Sequence, residues 1–90
     1  MLEGSIKVIN PLGLHARAAA QLVKLANRFT SKIIVKRPDN NAEADAKSIL
    51  GLLTLAASTG TTLHVRVEGD DEREAFDSVK DIFGKGFSEI

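Results

Sequence analysis

Two histidines and no cysteine are the stock of soft nucleophiles and metal-type ligands in this 90-residue chain. That excludes a Cys-His pair, a histidine-rich metal cage, a zinc ribbon and a disulfide framework. No Walker or GxGxxG sequence is present either, so no metal or cofactor is expected. His64 lies on the polar side of an alternating stretch and reads as a solvated surface histidine. His15 is different, because it follows the turn Pro11-Leu12-Gly13-Leu14 and immediately precedes an amphipathic stretch, which places it at a helix N-cap. The first backbone N–H groups of such a helix are unpaired and its macrodipole is positive there, so an anion held on the imidazole meets ready donors. Arg17 adds a side-chain donor for phosphate oxygens. A neutral imidazole keeps one unprotonated ring nitrogen as a nucleophile. The arrangement suits acceptance of a phosphoryl group, although a histidine that merely caps a helix fits the same position.

Ser48 is the second candidate, a hydroxyl at the start of an apolar segment with Lys47 before it. An ordinary N-cap explains it from position alone, while a phosphate added there finds the same kind of helix-terminal donors. If Ile49, Leu52 and Ala56 face the core, Leu50, Leu53 and Ala57 fall on a flank, either as an exposed docking patch or as cover for the sheet edge.

These residues need a scaffold, and turn signals recur along the whole chain. Residues 5–9 read as a strand stopped by Asn10-Pro11-Leu12-Gly13. Over residues 16–29 a 100° wheel puts Ala19, Leu22, Val23, Leu25, Ala26 and Phe29 on one side and Arg17, Gln21, Lys24 and Arg28 on the other, which predicts a helix. Residues 31–37 alternate as a strand, and Pro38-Asp39-Asn40-Asn41 turns into a weaker strand at 42–46. Residues 48–57 suggest a helix with almost no polar face. Leu63, Val65 and Val67 alternate with His64, Arg66 and Glu68 as a strand. Asp71-Glu72-Arg73-Glu74 has the character of a capping box opening a last helix that ends at Gly84 and Gly86. The order is βαββαβα, an α+β open-faced sandwich with three helices on one face of a four-stranded antiparallel sheet.

Composition sets the outer limits. Net charge is zero, with 12 basic and 12 acidic residues, no Trp or Tyr and four Phe, which disfavours a nucleic-acid binder built on the stripe Arg17, Lys24, Arg28. Residues 1–37 nonetheless carry a net +6 and residues 38–90 a net −6. The split either turns one surface towards an acidic or phosphorylated partner or is mixed away by folding. The uncharged run 48–63 is too short and too polar to span a bilayer, and Met1-Leu2-Glu3-Gly4 lacks the basic and apolar regions of a signal peptide. A soluble cytoplasmic domain is expected. An autonomous hydrolase built on His15 lacks a visible second acid or base.

The segments Gly13-Leu14-His15-Ala16-Arg17-Ala18-Ala19 and Lys47-Ser48-Ile49-Leu50-Gly51-Leu52-Leu53, in that order, resemble the two signatures of HPr. This is the histidine-containing phosphocarrier family of the phosphoenolpyruvate-dependent phosphotransferase system. The resemblance covers residues 1–90 as one domain, including the exit Leu55-Ala56-Ala57-Ser58-Thr59-Gly60. It implies that His15 takes a phosphoryl group on Nδ1 from phospho-enzyme I and passes it to a histidine of an enzyme IIA domain, with Arg17 stabilising the phosphate. Ser48 matches the regulatory serine that HPr kinase/phosphorylase modifies from ATP, and a dianion there is expected to repel acidic partners. Leu14, Ala18, Gln21, Lys24, Lys47, Ile49, Leu50 and Leu53 are implied as partner-binding residues. The implied protein is a monomeric carrier rather than an enzyme, and a mainly regulatory, nitrogen-type paralogue is the alternative. Three positions depart from the family pattern: Ala18 stands where Pro is frequent, Leu50 and Leu53 where Met is common, and residues 37–46 make a longer connection than the usual Asn-Gly turn.

Overall fold

The computed structural model describes residues 1–89, with a radius of gyration of 11.5 Å. Strands β1 (Leu2–Lys7), β2 (Lys32–Arg37), β3 (Ala42–Asp45) and β4 (Thr62–Glu68) form one antiparallel sheet in the order β1-β4-β2-β3. Helices α1 (Ala16–Ala26), α2 (Ile49–Thr54) and α3 (Glu72–Gly84) complete the expected βαββαβα order. Alternation decides the faces: Leu63, Val65 and Val67 of β4 and Ile33 and Val35 of β2 are fully buried under Ala19, Leu22, Ala26, Val79 and Phe83. At Gly4 of β1 a Cβ atom would lie 3.1 Å from the Phe76 ring, so the missing side chain lets α3 sit close.

The other sheet face mixes charges from both parts of the chain. Register sets Glu3 of β1 opposite Arg66, Lys32 of β2 opposite Glu68, and Lys36 of β2 between His64 of β4 and Glu43 of β3. Charges of opposite sign from the two parts thus face each other here. His64 is not simply solvated, since its Nε2 lies 2.7 Å from Glu3 Oε1 on this face. Of the basic stripe, Arg17 and Lys24 are exposed on α1, while Arg28 is exposed in the turn beyond it, because the helix ends at Ala26 rather than at residue 29.

Three local expectations change. Asp71 caps no α3 amide; its carboxylate instead accepts from the backbone N–H groups of Thr30 (2.9 Å) and Ser31 (3.0 Å) and from the Ser31 hydroxyl. That clamp ties the α1–β2 connection to the start of α3. The second change is the length of α2, six residues rather than ten. It stops because Ala56 turns left-handed (φ 50°), and Arg37 Nη1 then donates to the carbonyls of Leu55 (3.0 Å) and Ala56 (2.9 Å) left open at the helix end. Since the helical phase is lost there, Ala57 is buried and Ala56 exposed; Ile49, in the first turn, is also exposed. Finally, the connection between β2 and β3 shrinks to residues 38–41, with Asn41 left-handed at φ 58°, because β3 takes up the rest of the segment.

The loop ahead of α1 is braced from the far side of the chain. Leu14 N–H donates to the Ala57 carbonyl (2.8 Å), and the Thr59 hydroxyl donates to the carbonyls of Asn10 (2.6 Å) and Pro11 (2.9 Å). Inside the loop, buried Asn10 donates through Nδ2 to the Gly13 carbonyl (2.6 Å). Gly13 is left-handed (φ 67°), and a Cβ there would lie 2.6 Å from the Ala57 carbonyl oxygen.

Gly13→Ala is therefore expected to lose about 1–3 kcal/mol in chemical denaturation, from strain and contact together. The Asp71 clamp predicts a pH signature. Hydrogen bonding, first from the Ser31 hydroxyl and then from Thr30 N–H, holds the Asp71 carboxyl below its ordinary value of 3.8. A carboxylate lowered on folding stabilises the protein above the unfolded value and loses that contribution as pH falls through the folded one. Asp71→Asn should thus lower the melting midpoint at neutral pH and flatten its fall below about pH 4.

Candidate functional site

His15 is the N-cap of α1, with an extended backbone (φ −81°, ψ −177°). Its Nδ1 accepts the N–H of Arg17 at 3.2 Å. A ring nitrogen that accepts from an amide carries a lone pair, so in the neutral ring the proton sits on Nε2. Nε2 lies 2.5 Å from Oε2 of Glu89. Each nitrogen therefore has its own partner: an amide N–H that donates to the lone pair on Nδ1, and a carboxylate that accepts the Nε2–H.

The surroundings favour an anion on the Nδ1 side. The first turn of α1 contains no acidic residue, and its leading N–H groups lack intrahelical acceptors. The Arg17 side chain is exposed and, among the described residues, forms no salt bridge. The His15 side chain is itself 25% exposed, enough for a reagent to reach while its orientation stays fixed.

Glu89 is the residue that the sequence conceals. It supplies the second acid or base that His15 seemed to lack, yet the pair has no hydroxyl nucleophile: among the described residues, His15 side-chain hydrogen bonds go only to Arg17 and Glu89. Glu89 Oε1 also accepts Leu12 N–H at 3.2 Å. The hydrogen bond from His15, aided by those from Leu12 and Asn10, holds the Glu89 carboxyl below its ordinary range. Nothing local marks residue 89; the only nearby signal is the glycine at 86, two residues past the helix end.

Ser48 stands where the sequence places it, exposed and N-capping α2 with Oγ accepting Gly51 N–H at 3.1 Å. Lys47 is turned to a structural use, since its Nζ donates to the Phe29 carbonyl at 2.8 Å. Of the expected docking residues, Leu50 (74% exposed), Leu53 (37%) and Ile49 (38%) form an apolar surface on α2. Lys24 is exposed and Gln21 half-buried on α1. Leu14 and Ala18, expected as partner-binding residues, are instead buried at the inner side of the α1 entrance; Leu14 reaches only the wall of the hollow beside His15, and Ala18 is fully covered. Ala18 faces inward one turn before the buried Leu22, so its small size serves packing.

His15 and Leu53 line one shallow hollow with Leu12, Leu14, Ala56, Ala57 and Ser58, which joins the reactive ring to the α2 surface. A larger hollow, lined by Pro38, Asp39 and residues 59–62, shares no residue with it. Among the described residues no cluster suits a metal ion, and no helix is long and apolar enough to cross a membrane.

Comparison with known proteins identifies the family and the fold. A family model described as "PTS HPr component phosphorylation site" matches residues 2–85. The phosphocarrier protein HPr of Cupriavidus necator is 43% identical over 89 residues, 99% of this chain and 98% of that protein. The HPr-like protein Crh of Halalkalibacterium halodurans is 42% identical over 79 residues, 88% and 92% of the two chains. The crystal structure of HPr-C-His from Thermoanaerobacter tengcongensis is 40% identical and matches with a TM-score of 0.94, covering 100% of this chain and 99% of that one. A histidine on a helix N-cap, a βαββαβα sandwich and matches of this extent together make the chain a member of the HPr family of phosphocarrier proteins, which carry a phosphoryl group and are not themselves enzymes.

Proposed function

We propose that this protein takes a phosphoryl group on Nδ1 of His15 from phospho-enzyme I and hands it to a histidine of an enzyme IIA domain. The observation that carries the reading is the Arg17 N–H donated to Nδ1, which leaves the lone pair on the nitrogen that faces the positive helix terminus. On loading, the Arg17 N–H releases the Nδ1 lone pair, which forms an N–P bond as the donor's bond to phosphorus breaks, the electron pair staying with the donor; on hand-off the acceptor's lone pair forms the new bond and the N–P pair returns to Nδ1. The Arg17 guanidinium and the first-turn amides meet the phosphoryl oxygens. Transient partners seat on the surface around Leu50 and Leu53, beside the basic stripe of α1. The site is complete within one chain, so the proposed carrier needs no second copy to work.

Ser48 supplies the regulation. Phosphorylation by an ATP-dependent HPr kinase/phosphorylase sets a dianion next to the Ile49 and Leu50 surface, where it repels acidic partners and competes with apolar contact. The regulatory, nitrogen-type alternative keeps the His15 chemistry but passes the phosphate to a nitrogen-type enzyme IIA, or acts mainly through Ser48 and partner binding rather than sugar transport.

Incubation with phosphoenolpyruvate and a bacterial enzyme I should add one acid-labile phosphate to the parent, seen by intact mass, and none to His15→Ala. Arg17→Ala should remain phosphorylatable but about tenfold slower, the loss of roughly one charge-assisted hydrogen bond. A parent that stays unmodified beside an HPr that the same enzyme I does modify counts against the reading.

A further inference from the structure

The Nε2 side of His15 is as well organised as the Nδ1 side, and the organisation is expensive. Beyond α3 the chain takes three successive left-handed residues, Gly86 (φ 58°), Phe87 (φ 53°) and Ser88 (φ 63°). Glycine tolerates this freely, but a side chain in that region is strained. The turn is held by Phe87, which is 2% exposed and packs edge-on against Phe83 with ring centroids 4.9 Å apart at 75°. Its outcome is the delivery of Glu89, whose side chain is only 10% exposed, to Nε2 at 2.5 Å and to Leu12 N–H at 3.2 Å. The buried Phe87 and the strained turn thus fix one carboxylate on one ring nitrogen, across 74 residues of chain.

We propose that Glu89 is a positioning residue for His15: its carboxylate keeps the ring proton on Nε2 and so keeps Nδ1 the nucleophile, and it then faces the positive charge that the ring gains on phosphorylation. The second half of this rests on the phosphocarrier reading above. The charge balance is simple. When Nδ1 forms its bond to phosphorus, the Nε2 proton has no need to leave, and the ring becomes a cation beside a ready counter-ion. On onward transfer the N–P electron pair returns to Nδ1, and the ring is neutral again with its proton still on Nε2. The lowered Glu89 carboxyl, set mainly by the His15 hydrogen bond, is consistent with a carboxylate that stays ionised through the cycle.

The test uses the full chain with ring-15N-labelled histidine, in the parent, Glu89→Ala and Phe87→Ala. In the unphosphorylated parent at neutral pH the His15 signals should be those of the Nε2–H tautomer. Glu89→Ala should lose that bias, and Phe87→Ala should lose it as well with the carboxylate still in the chain, because the turn that delivers it is released. Glu89→Gln, which keeps an acceptor but no charge, should retain more of the tautomer bias. Its exchange equilibrium with phospho-enzyme I should nevertheless shift about tenfold towards phospho-enzyme I, the scale of one hydrogen bond to a charged group. Unchanged tautomer signals in both Glu89→Ala and Phe87→Ala overturn the proposal. Predicted tautomer changes in a parent that enzyme I cannot phosphorylate would sustain the positioning of the ring and defeat the phosphocarrier reading instead.

Discussion

The site depends on the seating of the loop before α1 against the strand-side exit of α2. Leu14 N–H meets the Ala57 carbonyl, the Thr59 hydroxyl spans the carbonyls of Asn10 and Pro11, and Gly13 passes so close to Ala57 that no side chain fits. One contact therefore sets two things at once: where α1 begins, and where its N-cap histidine lies relative to the apolar surface of α2. The sheet holds both ends of this contact, since Val8 N–H bonds to the Thr61 carbonyl and Gly60 N–H to the Val8 carbonyl just outside the paired strands. A rigid approach matters for a carrier whose reactive ring lines a shallow hollow, because preorganised donors cost nothing further at the moment of transfer.

The same physical device is used twice on one face. His15 and Ser48 are both N-caps with extended backbones, each accepting an amide from the first turn of its helix, and neither first turn contains an acidic residue. The caps differ in what they leave available. On His15 the accepting nitrogen is the proposed nucleophile, and the other ring nitrogen is held by Glu89. On Ser48 the oxygen is an exposed hydroxyl beside an exposed leucine surface. On the proposed reading, charge added at the second cap would alter the surface through which partners reach the first, so the two chemistries would communicate through partner affinity with no change of fold.

Elements governed by local periodicity were legible in the sequence. The alternation of residues 63–68 and the apolar stripe of residues 19–26 each describe a surface that must be buried, and the sheet and α1 follow from them. Where a long-range contact competes with a local rule, the local reading fails. Asp71 looks like a cap but spends its carboxylate on Thr30 and Ser31, whose amides are open at the end of the preceding connection. Residues 48–57 are apolar on nearly all sides, so hydrophobicity marks no end to α2; the left-handed turn at Ala56 and the Arg37 guanidinium do. Leu14 and Ala18 flank the reactive residue in sequence but point into the core, because adjacency along a helix entrance is not adjacency on its surface. Glu89 was beyond reach altogether, since no pattern near the C-terminus reports a contact made 74 residues away.

The central claim is that the fold assigns different tasks to the two nitrogens of one imidazole. The most direct test is the position of phosphorus on that ring, read by NMR coupling between 31P and the ring nuclei of His15 in the protein phosphorylated by enzyme I. Phosphorus on Nδ1, with the proton retained on Nε2, is the predicted result. Phosphorus on Nε2 would contradict the account, because that nitrogen is the one that Glu89 covers.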